Sequence, residues 1–390
     1  MGEAYVSSSV HYPDQYYDLH PDVSLNFQLN RMYGWVDEEQ MLAEIRKAAP
    51  AIHDYADWRR TFSALSDAAL AQDRTLAGAF YLRLAEFFMF ADDPAKKAAR
   101  ERFVNLVLGV YGLSRRDRTL IAFGSGALPA YRFTARDPKG TLVLFGGYDS
   151  YIEEWLSMFT LLRDVGYDVI AFEGPGQGGA LEEYGLKFTS AWHRPVAAVL
   201  DHFGLSDVAL IGLSLGGCLV FRAAAFEPRV RRIVAWDALT DLMACELRAM
   251  APAGPRRAAF RLLTHAPVFL DSAVRRSMKR SPVADWGMKQ GMHTFGVTSP
   301  HALFDAMRSF TTTDVSARIT QDVLVLAGTE DNLVPRDQVV DQLHLLPNAA
   351  SVTVRVFTRA DQAQNHCQVG NFGLALRYIL EWLAATPARR

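Results

Sequence analysis

The sequence predicts an α/β fold, a mainly parallel sheet with helices on both faces, entered through a helical segment. Three observations carry this expectation. After residue 115, short apolar runs alternate with helical periods, and runs that are apolar throughout mark strands buried on both sides. Before residue 115 there is no convincing strand run, only repeated helical periodicity. Finally, Gly212-Leu213-Ser214-Leu215-Gly216 stands where a strand run gives way to a helical one.

In chain order, Thr75 to Phe90 is apolar on most sides and predicts a buried helix. Ala95 to Val110 predicts an amphipathic helix, started by the turn residues Asp92, Asp93 and Pro94. Strands are expected at 119–123, 131–135, 141–145, 168–172, 208–212, 232–236, 323–327 and 351–357. Helices fit between most of them, at 152–165, 189–203, 214–226, 337–345 and 368–384. The interval from Trp236 to Val323, about 85 residues, exceeds what one crossover needs. Its helical stretches, punctuated by Pro252, Pro255, Pro267 and Pro282, predict an insertion at 240–312 over one end of the sheet. The expected organisation is a helical cap over 1–115 and a catalytic domain over 116–390 that carries this insertion.

Composition narrows the function classes. The 390 residues are 50% hydrophobic and 22% charged, as in a globular protein with a large core, and at roughly 150 residues per domain the length allows two or three units. Lys plus Arg number 41 against 43 Asp plus Glu, a net charge of −2, so no nucleic-acid partner is expected. The longest apolar stretch, Val208 to Phe221, has 14 residues with three glycines and a serine among them, whereas a membrane span needs about 20. The opening MGEAYVSSSVHYPDQYYD has neither a basic nor an apolar signal region, and MGEAYV lacks the Ser or Thr that myristoylation prefers. Cys218, Cys245 and Cys367 form neither a disulfide framework nor a zinc pattern. A reduced, cytoplasmic protein without cofactor or structural metal, away from membranes and acting on a small molecule, is the expectation.

The chemistry centres on Ser214. A serine raised on a strained turn between strand and helix is a nucleophile elbow, and Gly212, Gly216 and Gly217 make room where a Cβ would clash. A helix starting at Ser214 would aim its backbone N–H groups and positive end at a developing oxyanion. The hydroxyl needs a base, and the base an orienting acid, in the chain order Ser, acid, His. Asp331 follows a strand in GTEDNLVP, and His366 follows the next strand in RADQAQNHCQVGN. Asp237, which ends a strand in AWDA, is a rival acid, while strand alternation would turn Glu330 away. The loop Phe145-Gly146-Gly147-Tyr148-Asp149-Ser150 supplies the second oxyanion donor, the N–H of Gly147 or Tyr148, beside that of Leu215. Asp149, Glu153 and Glu154 either brace this loop or form a solvated helix start.

Other motifs read more plainly. Gly174-Pro-Gly-Gln-Gly-Gly179 formally satisfies G-x-G-x-x-G, but Pro175 removes a donor and ALEEYGLKFT is a poor amphipathic helix, so a glycine turn after a strand is expected rather than a dinucleotide site. The basic residues Arg256, Arg257, Arg261, Arg275, Arg276, Lys279 and Arg280 predict exposed helix faces, with an anionic substrate or carrier as the alternative. Tyr81, Phe87, Phe88, Phe90, Trp286 and Phe295 are expected mostly in the core, a few of them at a substrate pocket.

FGGYDSYIEEW, FEGPGQGG, GLSLGG, GTEDNLVP and NHCQVGN, in that order, resemble the α/β-hydrolase subgroup that contains 2,6-dihydroxypseudooxynicotine hydrolase and fungal polyketide-shortening hydrolases of the melanin-pigment type. YLRLAEFFMFADDP is similar to the N-terminal helical cap of that subgroup, so the resemblance spans nearly the whole chain. It implies an α/β-hydrolase fold with a helical cap and lid, a homodimer, and a Ser-His-Asp enzyme. Carried over, the nucleophile is Ser214, the base His366 and the acid Asp331. Some members cleave a carbon–carbon bond beside a ketone and others are ordinary esterases. The expected reaction is therefore retro-Claisen hydrolysis of an aromatic or polyketide-like compound, with ester or lactone hydrolysis, or acyl transfer, as alternatives. A complete triad speaks against an inactive receptor or scaffold.

Overall fold

The computed structural model describes residues 11–250, 254, 258, 262 and 265–387. The chain enters through α1 (Val23–Tyr33), α2 (Glu39–Ala48), α3 (Tyr55–Leu70), α4 (Thr75–Phe87) and α5 (Pro94–Val110). Local capping starts several of these helices. Asp22 and Asp54 accept the N–H groups of Leu25 and Asp57, and Asp93 caps α5 with Pro94 in its first turn. Helix α4 is the buried helix expected from its all-round apolarity, every residue from Ala77 to Phe87 being buried. It ends at Phe87 rather than Phe90, where the backbone of Phe88 leaves helical geometry.

Eight strands follow: β1 (Thr119–Phe123), β2 (Gly126–Phe133), β3 (Thr141–Phe145), β4 (Asp168–Phe172), β5 (Val208–Leu213), β6 (Val230–Trp236), β7 (Asp322–Gly328) and β8 (Ser351–Phe357). They form one sheet in the order β1-β2-β4-β3-β5-β6-β7-β8. The β1–β2 and β2–β4 pairs are antiparallel and all others parallel. The strand expected at 131–135 departs most from the structure, for β2 begins at Gly126. Pro129 concealed its first half, because proline lacks the ladder donor. It is tolerated because the β4 ladder stops at Ala130, and beyond it Pro129 only accepts, from the Glu173 N–H at 2.9 Å.

The later helices are α6 (Leu156–Asp164), α7 (Gly178–Glu182), α8 (His193–Phe203), α9 (Gly216–Ala224), α10 (Leu242–Met250), α11 (Pro267–Met278), α12 (Pro282–Phe295), α13 (Pro300–Met307), α14 (Asp337–His344) and α15 (Phe372–Ala385). Helices α10 to α13 fill the long interval between β6 and β7. Pro267 and Pro282 start α11 and α12 rather than breaking them, since no N–H is needed in a first turn. Pro252 and Pro255 lie outside the described residues.

Strand alternation divides the core. Leu142, Leu144, Val169 and Ala171 join one cluster, while Val143, Phe145, Ile170 and Phe172 join the other. The first cluster runs without interruption into the N-terminal helices, through Leu29, Trp58, Phe80, Phe103 and Trp155. Among the described residues no helix is long and apolar enough to cross a membrane. All three cysteines are free and buried.

Candidate active site

The turn from β5 into α9 forces Ser214 to φ 61°, a left-handed conformation that costs a non-glycine residue free energy. Its N–H donates to Trp236 O at 2.8 Å, which ties the turn to the end of β6. The glycines are steric necessities. A Cβ on Gly217 would lie 1.8 Å from Asp237 O, and one on Gly212 would lie 2.2 Å from Gly216 O. Gly217→Ala should therefore cost on the order of 3 kcal/mol through overpacking against backbone. A thermal melt equal to that of wild type would show that the turn relaxes freely. Helix α9 begins at Gly216, not Ser214, so Leu215 is its N-cap. The Leu215 N–H thus belongs to the helix start, where donors lack intrahelical partners.

The loop after β3 presses against this turn. A Cβ on Gly147 would come within 2.8 Å of both Leu215 N and Ser214 Cβ. Gln177 holds the loop, its Nε2 donating to Gly146 O at 2.6 Å and Gly147 O at 3.1 Å. Gln177 comes from the GPGQGG turn, and sequence reasoning missed this role. The donors of that turn are already engaged, the Gly176 N–H by Leu186 O at 2.8 Å. Gly174 N–H donates to Gln177 Oε1, and Gly179 N–H to the buried carboxylate of Glu173. A Cβ on Gly178 would strike Glu173 Oε1. The glycines thus make room for a side-chain carboxylate.

Ser214, His366 and Asp331 lie together. His366 Nε2 lies 2.8 Å from Ser214 Oγ, and its Nδ1 lies 2.7 Å from Asp331 Oδ2. The other Asp331 oxygen accepts the N–H groups of Leu333 and Val334 at 2.7 and 2.8 Å. Asp237, the rival acid, is also there, with Oδ2 2.9 Å from the same Nδ1. Glu330 turns away and pairs with Arg359 at 2.6 Å. Burial works against a charged imidazole, yet the two carboxylates outweigh it and hold the His366 pKa well above the ordinary histidine value. Burial likewise opposes ionisation of Asp237, but His366, the Cys367 N–H and Gln368 bring its pKa below the ordinary carboxylate value. For Asp331, burial and the Asp237 charge together prevail over His366 and keep its pKa raised.

Ser214 and His366 open on two cavities. The larger, about 580 Å³, lies under α10, α11 and α12 and is lined by Leu242, Met250, Val274, Trp286, Met288 and Met307 among others. The smaller, about 130 Å³, lies beside α1 and is lined by Phe27, Arg31, Trp35 and Phe372. Glu246 of α10 faces the larger cavity, and burial together with the Asp149 charge pushes its pKa up to about 7. No local motif marks Glu246 in the sequence.

Asp149, Glu153 and Glu154 belong to the loop's bracing and not to a solvated face. Tyr131 Oη donates to Glu153 Oε1 at 2.9 Å. Glu154 accepts Arg31 at 2.6 Å and Arg83 at 2.8 Å. Arg83 also pairs with Glu86 at 2.5 Å and donates to Asp149 O at 2.6 Å, while Lys96 reaches Glu86 at 2.9 Å. This buried ladder joins α1, α4 and α5 to the loop after β3. Of the basic residues in the insertion, Arg275, Arg276, Lys279 and Arg280 are exposed, as a solvated face requires, and Arg256, Arg257 and Arg261 lie outside the described residues.

An eight-stranded, mainly parallel sheet with Ser214 at a strand-to-helix turn defines an α/β hydrolase, and residues 140–361 match the family model for the alpha/beta hydrolase fold. The chain belongs to that family and is a hydrolase. Among its relatives is the "Hydrolyase poxO" of Penicillium oxalicum, 28% identical across 88% of this chain and 92% of that protein. The "20-hydroxy-prefusarin hydrolase FUS2" of Gibberella moniliformis is 30% identical across 56% of this chain and 61% of its own. The crystal structure of 2,6-dihydroxy-pseudo-oxynicotine hydrolase has the same fold, with a TM-score of 0.62 at 20% identity over 90% of this chain and 94% of that one.

Proposed function

We propose that the protein is a serine hydrolase that cleaves a carbon–carbon bond beside a ketone in a bulky aromatic or polyketide-like β-dicarbonyl compound. The observation that carries this reading is the hydrogen-bonded series Ser214–His366–Asp331 at the floor of an apolar cavity of about 580 Å³. His366 Nε2 takes the Ser214 proton as Oγ attacks the ketone carbon. The N–H groups of Leu215 and Gly147, or of Tyr148 beside it, receive the oxyanion, each contributing on the order of 3 kcal/mol. Collapse expels a carbanion stabilised by its neighbouring carbonyl or phenol, which His366 protonates. Water, deprotonated by His366, then releases the acid from Ser214. Glu246, protonated up to about pH 7, gives the apolar cavity a hydrogen-bond donor for a substrate oxygen.

Support for the substrate class comes from the cavity's size and lining, and from relatives named for 20-hydroxy-prefusarin and 2,6-dihydroxy-pseudo-oxynicotine. The test is a parallel assay with aryl β-diketones, naphthopyrone-like polyketides and p-nitrophenyl esters of graded length, run with and without competing alcohols and amines. Turnover should be highest on the bulky β-dicarbonyl compounds, releasing a free acid and a ketone or phenol. A strong preference for short simple esters would sink the carbon–carbon reading in favour of an esterase, and trapping of the acyl group by the added nucleophile would point to acyl transfer.

A further inference from the structure

We propose that Asp237 is a second acid at His366 Nδ1, a positioning residue of the reaction beside Asp331 that can hold the imidazole when Asp331 does not. The proposal rests on the reading of Ser214 as nucleophile and His366 as base. Its basis is geometric, for the two carboxylate oxygens stand 2.7 and 2.9 Å from one nitrogen. They arrive from adjacent parallel strands, Asp237 directly after β6 and Asp331 from the loop after β7. The Nδ1–H is hydrogen-bonded to Asp331, Asp237 stands beside it at ion-pair distance, and both charges stabilise the imidazolium that forms when Ser214 is deprotonated.

Asp237 is built in at a cost that a spare carboxylate would not warrant. It is 1% exposed and holds φ 77°. Gly217 has no Cβ to admit its carbonyl oxygen. Its side chain accepts the N–H of Cys367 and, at 3.2 Å, Gln368 Nε2. Cys367 and Gln368 are themselves left-handed, with φ 50° and 53°. Ser214, Asp237, Cys367 and Gln368 are thus four of the seven non-glycine residues with positive φ among those described. Strain gathered at one place marks a conformation that the surroundings hold for function. Asp237 clamps the turn that carries His366, and also touches the imidazole that the turn presents.

The acids differ in what pins them. Asp237 is pinned inside the fold by the residues that follow His366. Asp331 is pinned by Leu333 and Val334, on a loop whose Leu333 lines both cavities. Motion of that loop as substrate enters would disturb Asp331 and leave Asp237 in place. Other groups around the ring are few. Cys367 adjoins it, Cys245 of α10 lies within its electrostatic reach, and the Phe27 ring of α1 packs 6.0 Å away.

The experiment compares Asp331→Asn, Asp237→Asn, the double substitution and His366→Ala for kcat, kcat/KM against pH, and the rate of fluorophosphonate labelling at Ser214. A hydrolase with one orienting acid loses about 10⁴-fold when that acid becomes an amide, because the imidazole takes the wrong tautomer. Here the remaining carboxylate keeps the tautomer, so each single substitution should cost less than about 10²-fold and the double about 10⁴-fold. Asn at 237 can still accept the Cys367 N–H, so the turn persists. Loss of either negative charge should also move the acid limb of kcat/KM to lower pH, a displacement that a purely structural role would not produce. The proposal is overturned if Asp331→Asn alone falls to the level of the double substitution, or if Asp237→Asn leaves both kcat and the acid limb unchanged. Should Asp237→Asn fail to fold, Asp331→Asn against His366→Ala decides, since equal activities exclude a second acid. Wild type that takes no label at Ser214 would refute the serine-hydrolase reading itself, a different failure from normal labelling with a single-acid pattern.

Discussion

Ser214→Ala should lower kcat by on the order of 10⁶-fold, the scale on which a triad nucleophile acts with its base and oxyanion donors as a unit. Binding should change little, because the cavity of about 580 Å³ that holds the substrate keeps the rest of its lining. A fluorophosphonate probe that labels wild type should not label the variant. Retention of full turnover on every substrate would end the proposal that Ser214 is the nucleophile. A companion variant reads the local strain. Ser214 sits at φ 61°, which alanine tolerates no better but glycine adopts freely. Ser214→Gly should be as inactive as Ser214→Ala and more stable than it by about 1 kcal/mol, less any gain in unfolded-chain entropy. Calorimetry on the two checks this, and a glycine variant that melts well below the alanine variant would mean that the turn stores no strain.

The second large effect concerns the buried ion-pair ladder. The side chains of Arg83 and Glu154 are 2% and 0% exposed. Replacing Glu154 by Ala leaves Arg83 and Arg31 without their shared acceptor inside the fold, and breaking a buried pair on one side costs about 3–5 kcal/mol. Denaturant unfolding should show that loss for Glu154→Ala. Replacing Arg83 with Met as well should restore part of it, since the variant pair removes both charges. Additive losses would mean that the two residues act independently. Arg83→Met alone should also lower kcat, because its Nη2 donates to Asp149 O in the loop that presses on Ser214. The ladder adds a pH dependence. Burial works to raise the Glu86 pKa, but Lys96 and Arg83 hold it down at about 2, below its ordinary 4.5. A depressed carboxylate contributes stability that is complete above its unfolded pKa and fades as pH falls toward about 2.

Much of this was legible because it is written locally. TLIAF, TLVLF and DVIAF coincide with β1, β3 and β4 as short apolar runs bounded by polar turns, and SVTVRVF coincides with the edge strand β8 through its polar–apolar alternation. The start of β2 was hidden by Pro129, whose penalty vanishes only because of where the β4 ladder ends, a fact of tertiary structure. Ser214, Asp331 and His366 could be named because strand ends and chain order constrain them. Gln177, Glu246 and Arg83 could not, since each acts through a partner far away in the chain, as Arg83 does with Glu154 71 positions on. Asp237 falls between these cases. Its strand-end position made it a candidate, but choosing between two candidates presupposed one acid, and the fold brings both to the same nitrogen.

Helices α1 to α5 share one continuous apolar cluster with α6 and α15, the helices that meet the sheet on that side, and Trp35 stacks on Phe372 of α15 with 4.1 Å between ring centroids. The N-terminal cover therefore cannot swing aside as a rigid door without parting the stack of Trp35 on Phe372 and exposing both rings to water. The other roof, helices α10 to α12, stands over the larger cavity. For anyone grafting a new specificity onto this framework, the two roofs are unequal material. The lid can be exchanged as a surface part, whereas a transplanted N-terminal cover must bring along its partners on α15, Phe372 foremost.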